Sequence, residues 1–343
     1  MTEQIEIESQ CSILDENGRP AHFGWARRPL YVFERDRLHA PRRYVTEFDR
    51  YCFFSQTHLF LFEIEDAGFL GSIRITCIAL RDKKTVKTIY TSSFTLGSFN
   101  LPSGSEIGSI RLHQKRALIE FWTRRNGFRI IKIDIPLLAH GISLRGEVVL
   151  IEPEGAQPLL THSGWHRERG AFRYSRTSPW YFVEGVMQLG SQDVVFTRGN
   201  ASCVFDWDRG RRPKTDVQYR ARGCGMFKKK QISFALGYST ADTDAATENA
   251  FFIDGKLHKL NQVTFQISPK DWLFPWQFTS ADGKIEMTFR PVLFETARNR
   301  IFLHSIGLLQ FFGYFSGKVL QDDGQFFTFK NITGFAERRK TRF

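Results

Sequence analysis

Apolar and polar side chains alternate with a period of two along most of this chain. Asn-Gly or Asp-Gly pairs punctuate the pattern at Asn17-Gly18, Asn126-Gly127, Asp254-Gly255, Asp282-Gly283 and Asp323-Gly324. The last four lie between strand-like runs and each predicts a two-residue hairpin, because both central residues of such a turn need positive φ and these pairs tolerate it. A turn also sets register. About Asp282-Gly283, Ser280 faces Ile285, Phe278 faces Met287 and Trp276 faces Phe289, while Thr279 with Glu286 and Gln277 with Thr288 fall on the opposite side. One face is apolar and the other polar, as a half-buried antiparallel sheet requires. About Asn126-Gly127, Leu118, Trp122, Ile131, Ile133 and Ile135 share a face, with Glu120 the sole exception. About Asp254-Gly255, Phe251 pairs His258, Ala250 pairs Lys259 and Asn249 pairs Leu260, so Asn249, Phe251 and His258 share one face, with Glu248 and Lys259 diagonal on the other.

Further strands are expected at Tyr44–Ser55, Leu59–Ile64, Ser72–Leu80, Thr85–Phe94, Arg145–Ile151, Trp180–Leu189, Asp193–Thr197, Gln231–Gly237 and Ile301–Phe312. Capped helical periodicity is nearly absent, so the fold class is all-β with few helices. The 34 Phe among 343 residues point the same way, since aromatic side chains suit a pleated, half-buried surface. The length predicts two lobes, and the Gly-, Pro- and charge-rich stretch Glu152–Gly170 is the expected linker. The expected division is therefore an N-terminal lobe over 1–160 and a C-terminal lobe over 161–343, each an antiparallel barrel or curled sheet.

Composition narrows the setting. The first residues, MTEQIEIESQ, lack the basic start and apolar core of an export signal, and no apolar run is long enough to cross a bilayer. Five scattered cysteines without a CxxC pair imply free thiols in a reducing compartment, so a cytoplasmic location is expected. The net charge of +12 is spread over Arg27-Arg28, Arg42-Arg43, Arg209–Arg212, Lys228–Lys230 and Arg338–Arg342. That distribution lacks any nucleic-acid-binding motif, so no specific nucleic acid is expected, and loose peripheral contact with an anionic membrane is the remaining surface partner.

Candidate chemistry concentrates between Cys203 and Phe265. In FDWDRG, Asp206 and Asp208 project from one side of a strand and Phe205 and Trp207 from the other. Paired carboxylates at this spacing suit general acid/base work, with Arg209 tuning them, or they accept Arg209 and nearby donors as structural ion pairs. Trp207, Asn249, Phe251 and His258 are the expected ligand-binding residues. Glu248 and Lys259 read as an exposed cross-strand ion pair. His162 and His166 in HSGWH lack the glutamate of a zinc protease motif, and neither GxSxG nor GxxxxGK[ST] occurs, so neither metal nor cofactor is expected.

Four segments together, GRPAHFGWARRPL (residues 18–30), FDWDRGRRP, ADTDAATENAFFIDGKLHKLNQVTF and QFFGYFSGKV (residues 310–319), resemble a bacterial and fungal family known as domain of unknown function 2804. The resemblance covers nearly the whole chain and brings no settled activity. It departs from the family where Lys214, Arg220 and Arg222 replace expected aromatics. More distantly the chain is similar in fold to two-barrel, lipocalin-like (calycin-type) proteins such as carotenoid hydratases and tocopherol cyclases, which implies an apolar, lipid- or terpenoid-like ligand. Three readings follow: a protein binding a hydrophobic small molecule in an aromatic-lined β cavity, a metal-independent lyase or isomerase using Asp206 or Asp208, and a basic surface protein for nucleic acid or membrane.

Overall fold

A computed structural model describes residues 4–114, 116–124, 127–139 and 141–343. Among these residues the regular structure is strand apart from two short 3-10 turns, Arg35–Arg37 and Arg42–Tyr44. The all-β expectation is therefore met. Two large antiparallel sheets each curl about their own apolar core.

The first sheet runs in spatial order Lys84–Ser93, Leu70–Ala79, His58–Asp66, Val45–Ser55, Ala201–Arg211, Phe172–Leu189, Ile142–Ile151, Phe128–Ala139, Ala117–Thr123 and Gly108–Gln114. Its long Phe172–Leu189 strand contains Pro179, which cannot donate to a ladder, and the pairing with Ala201–Arg211 shifts register between Ser178 and Tyr181. That break lets the first half pair with Leu159–Gly164 and the second with Ile142–Ile151. The second sheet has the order Lys256–Lys259, Ala250–Ile253, Lys230–Tyr238, Thr215–Phe227, Phe326–Arg342, His304–Leu320, Ile285–Ile301, Trp276–Ser280 and Val263–Gln266. Its C-terminal strand lies beside its first, so the lobe closes on itself in sequence.

The sheets divide at residues 212–214, not within Glu152–Gly170. That stretch read as a linker because of its glycines and charges, but it contains the strand Leu159–Gly164, hydrogen-bonded on both sides within the first sheet. By sheet membership the strands between 161 and 211 go with the first sheet.

Turn-derived registers hold at Asp282-Gly283, where Trp276 faces Phe289 and Phe278 faces Met287, and at Asp254-Gly255, where both residues have positive φ and Phe251 faces His258. At the Gly127 turn the register slips by one. Arg124 N–H donates to Phe128 O, and Gly127 sits in the left-handed region at φ 72. Asn126 itself lies outside the described residues. The slip turns one strand over: Ile119 and Phe121 are buried with Ile131 and Ile133, while Trp122 is 39% exposed. The Asp323-Gly324 turn is longer by one residue, with Gln321 N–H donating to Gln325 O. The expected strand Ile301–Phe312 instead spans a hairpin, because Ile301 pairs His304 and the turn is Phe302-Leu303.

Candidate ligand cleft and the ionic layer beside it

The two sheets meet back to back through Val45–Ser55 and Ala201–Arg211 of the first and Thr215–Phe227 and Phe326–Arg342 of the second. Alternation sends one set of side chains from each strand into its own barrel and the other set into this contact. Part of the contact is apolar, with Cys52, Phe54, Trp180, Val204, Phe312 and Phe335 packed together. The rest is a buried ionic layer.

Asp206 and Asp208 belong to that layer. Asp206 accepts from Arg50 Nη2 at 2.7 Å, Arg222 Nε at 2.9 Å and Thr177 Oγ1 at 2.8 Å. Arg50 also donates to both oxygens of Glu337, which takes a further bond from Gln310. Asp208 accepts from Arg173 at 3.0 Å, Arg220 at 2.7 Å and Arg212 at 3.3 Å. Glu248 joins the second set, bound by Arg173 and Arg222 and 3.3 Å from Arg220. Burial by itself would raise these carboxyls, but the guanidiniums outweigh it. Arg222 and Arg50 hold Asp206, and Arg173 with Arg220 holds Asp208, well below the usual carboxylate range, and Glu248 is lowered to about 2. These carboxylates stay ionised and saturated with donors.

The residues singled out from the sequence are therefore dispersed. Arg209 points the other way, into the first barrel, where it donates to Asp49 Oδ1 at 2.7 Å and to the carbonyls of Pro102 and Phe48, over the Trp207 ring. Its carboxylate partners are Asp49 and, at 3.7 Å, Glu47 rather than Asp206. Trp207 is buried in the same barrel with its indole N–H unpartnered. Phe251 is core, against Phe234 and Phe329. His258 is buried with Nδ1 3.1 Å from Asp322 Oδ2. Glu248 and Lys259 form no exposed ion pair: Glu248 lies in the ionic layer, and Lys259 donates to Thr247 Oγ1 and the carbonyls of Asn249 and Leu260. His162 sits among Phe23, Tyr31 and Phe172, and burial lowers it to about 3. His166 is exposed beside Asp242.

Asn249 leads to a cleft in the second sheet. Its Oδ1 accepts from Gly237 N–H and its Nδ2 donates to Asn261 O, which locks the amide at the rim of a cleft of about 560 Å³. The cleft follows from the register of the second sheet. On the inward face Leu236, Ala221, Ala336 and Phe311 form one cross-strand row, and the next row outward is Tyr238, Tyr219, Arg338 and Leu309. The row of Ala221 and Ala336 packs in the core, and Tyr219 and Tyr238 of the outer row reach the cleft. Tyr219 and Tyr238 line the opening with Phe265 and Ile267, while Thr247, Gln262 and Asn249 supply its polar edge. Arg338 reaches it through Tyr219, which lines it: the guanidinium lies 5.9 Å from the Tyr219 ring centre and 6.0 Å from that of Trp272. Its Nε is buried without a hydrogen-bond partner, and among the described residues it has no carboxylate partner. Sequence reasoning passed over Tyr219 and Arg338. Their signal was a cationic residue on the apolar-facing phase of a strand, legible only once strand pairing is known.

One carboxyl behaves oppositely to the ionic layer. Glu152 borders a cavity of about 190 Å³ beside the first barrel, where Arg176 Nη2 donates to its Oε1 at 3.2 Å, and burial pushes it up to about 7 against the pull of Arg129.

Comparison with solved structures finds this two-barrel, lipocalin-like architecture in proteins of remote sequence. A protein from Nitrosomonas europaea provisionally assigned as an AttH is similar at a TM-score of 0.50 and 12% identity, over 91% of this chain and 98% of that one. Kievitone hydratase from Nectria haematococca is similar at a TM-score of 0.47 and 12% identity, over 87% of this chain and 88% of that one. CghA is similar at 0.48 and 10% identity, over 88% of each chain. At such identities the likeness concerns fold alone. No curated protein matches the chain. The family model that does match spans residues 4–343, and the chain belongs to that family, the domain of unknown function DUF2804.

Proposed function

We propose that this protein binds an apolar small molecule bearing an acidic or carbonyl oxygen, in the cleft at the open end of the second sheet. The observation that carries this reading is Arg338, a guanidinium with an unpartnered buried Nε set between Tyr219 and Trp272 beside a cleft of about 560 Å³. A cleft of that size suits a drug- or lipid-sized molecule, and Tyr219, Tyr238, Phe265 and Ile267 offer an apolar body one side while Ser239, Thr243, Thr247, Asn249, Gln262 and Thr264 offer its oxygens another. A ligand oxygen would give Arg338 the acceptor it lacks, and a charge-assisted bond is among the stronger single contacts available. Proton transfer by Asp206 and Asp208 has less support, since both are ionised, donor-saturated and turned into the ionic layer.

Titration with cis-parinaric acid, followed by its fluorescence, tests the reading. The acid is expected to bind more tightly than its methyl ester, and Arg338→Ala to weaken the acid by about tenfold or more while leaving the ester nearly unchanged. Tyr219→Ala should weaken both. Equal binding of acid and ester by the native protein, or an unchanged affinity in both variants, would put the ligand elsewhere. Mass spectrometry of small molecules extracted from gently purified protein then identifies the natural occupant.

A further inference from the structure

The hairpin between Ile285–Ile301 and His304–Leu320 abandons the turn chemistry kept at Asp254-Gly255. Its tip is Phe302-Leu303, with Phe302 in the left-handed region at φ 48, and the two residues are 75% and 69% exposed. A bulky apolar residue in that conformation costs stability and solubility and contributes nothing to the hairpin. Such local violations collect where a surface is used. The tip is not isolated. The Phe94 ring lies 6.5 Å from that of Phe302, and both Phe94 and Leu96 are exposed and also left-handed, at φ 54 and φ 48. The patch thus joins segments of both sheets.

Charge surrounds it on one side. Arg300, Ser305 and Arg342 form one cross-strand row, and Arg298, Gly307 and Lys340 form the next row on the same face. Arg298, Arg300, Lys340 and Arg342 are all exposed, and none has an ion-pair partner among the described residues. Nearby carboxylates are committed elsewhere: Asp66 is buried against Thr95 and Gly68, Glu65 pairs with Arg339, and Glu295 pairs with Lys87. An apolar tip beside unneutralised cations is complementary to a surface that offers anionic groups above hydrocarbon.

We propose that this corner docks on an anionic lipid surface, with Phe302, Leu303, Phe94 and Leu96 entering the acyl boundary and Arg298, Arg300, Lys340 and Arg342 resting on headgroups. The mode is that of a peripheral protein held by a small apolar wedge plus a basic patch. The Arg298 and Lys340 row continues inward to the row of Arg338 and Tyr219, so the docked face leads toward the cleft. Docking itself does not depend on what the cleft holds.

Co-sedimentation of the full chain with phosphatidylcholine vesicles, with and without phosphatidylserine, tests it. Binding is expected only with phosphatidylserine, and it should fall by about tenfold both in Arg298→Glu/Arg300→Glu and in Phe302→Ser/Leu303→Ser. All four positions are exposed, so the fold should survive, and circular dichroism checks that. Phe302→Trp should shift its emission to the blue on serine-containing vesicles. No binding to those vesicles, or binding that neither double variant reduces, overturns the proposal. So does self-association that depends on Phe302 without vesicle binding, which would make the patch a contact between copies.

Discussion

Asp208→Ala is expected to destabilise the protein by about 3–5 kcal/mol, more than any substitution at its exposed surface, because it removes the anion from a buried site that holds three cations. Arg173 and Arg220 would still have Glu248, but among the described residues Arg212 makes its sole hydrogen bond in the layer to Asp208. Burial already lowers Arg212 to about 10, with Asp208 the chief influence opposing it. Asp206→Ala should cost less, since Arg50 keeps Glu337 and Arg222 keeps Glu248. Urea unfolding of the two variants reads the order directly. In a double-mutant cycle, Asp208→Ala with Arg212→Leu should recover part of the loss, because the stranded cation is then gone. A loss under about 1 kcal/mol for Asp208→Ala would mean that the layer is wet rather than sealed.

That layer also marks the limit of what the sequence discloses. Period-two alternation was enough for an all-β fold, and the Asp254-Gly255 and Asp282-Gly283 turns were enough for the register of two hairpins. Both inferences use interactions among residues close in the chain. The partners of Asp206 and Asp208 are not all close: Arg50 binds both Asp206 and Glu337, although 156 and 287 positions separate it from them. Alternation correctly placed Asp206 and Asp208 on the face opposite Trp207, yet it could not say that this face meets a second sheet. With a cavity there, the pair would have looked catalytic. With Arg173, Arg220 and Arg222 there, it is ionised and saturated with donors. Arg220 and Arg222, which stand where aromatics were expected, complete the ionic layer and lie on the face of their strand away from Tyr219. The slip at Gly127 has a simpler cause, since a glycine pair fits two-residue and three-residue loops alike. Phe302-Leu303 was missed because nothing in its composition reads as a turn.

Stability should be nearly flat between about pH 4.5 and 6.5 and fall steeply below, a shape set by buried groups that pull in opposite directions. His162 is neutral in the fold, lowered from 6.5 to about 3 by burial, so its stabilising contribution is present above 6.5 and is lost as pH falls toward 3. Glu152 is raised from 4.5 to about 7, so its contribution is present below 4.5 and is lost as pH rises through 7. Where both titrate, each contributes about 1.4 kcal/mol per pH unit with opposite sign, and they largely cancel. Below about 4.5 the cancellation ends. Asp206, Asp208, Glu248, Glu65 and Glu337 are all depressed in the fold, so each stabilises above its unfolded value and loses that contribution as pH falls, in the same direction as His162. The layer should then fail cooperatively. Single substitutions separate the parts. In His162→Phe, an aromatic ring among Phe23, Tyr31 and Phe172, stability should rise on acidification from pH 7 to 4.5, because Glu152 then outweighs the half-buried His58, which burial lowers in the opposing direction. In Glu152→Gln it should fall over the same range, because His162 is then unopposed and His58 and Lys259, also lowered by burial, act in its direction. Urea midpoints measured across pH in the native protein and both variants test this, and slopes of the same sign in the two variants would show that one of these buried groups is not where its titration requires it to be.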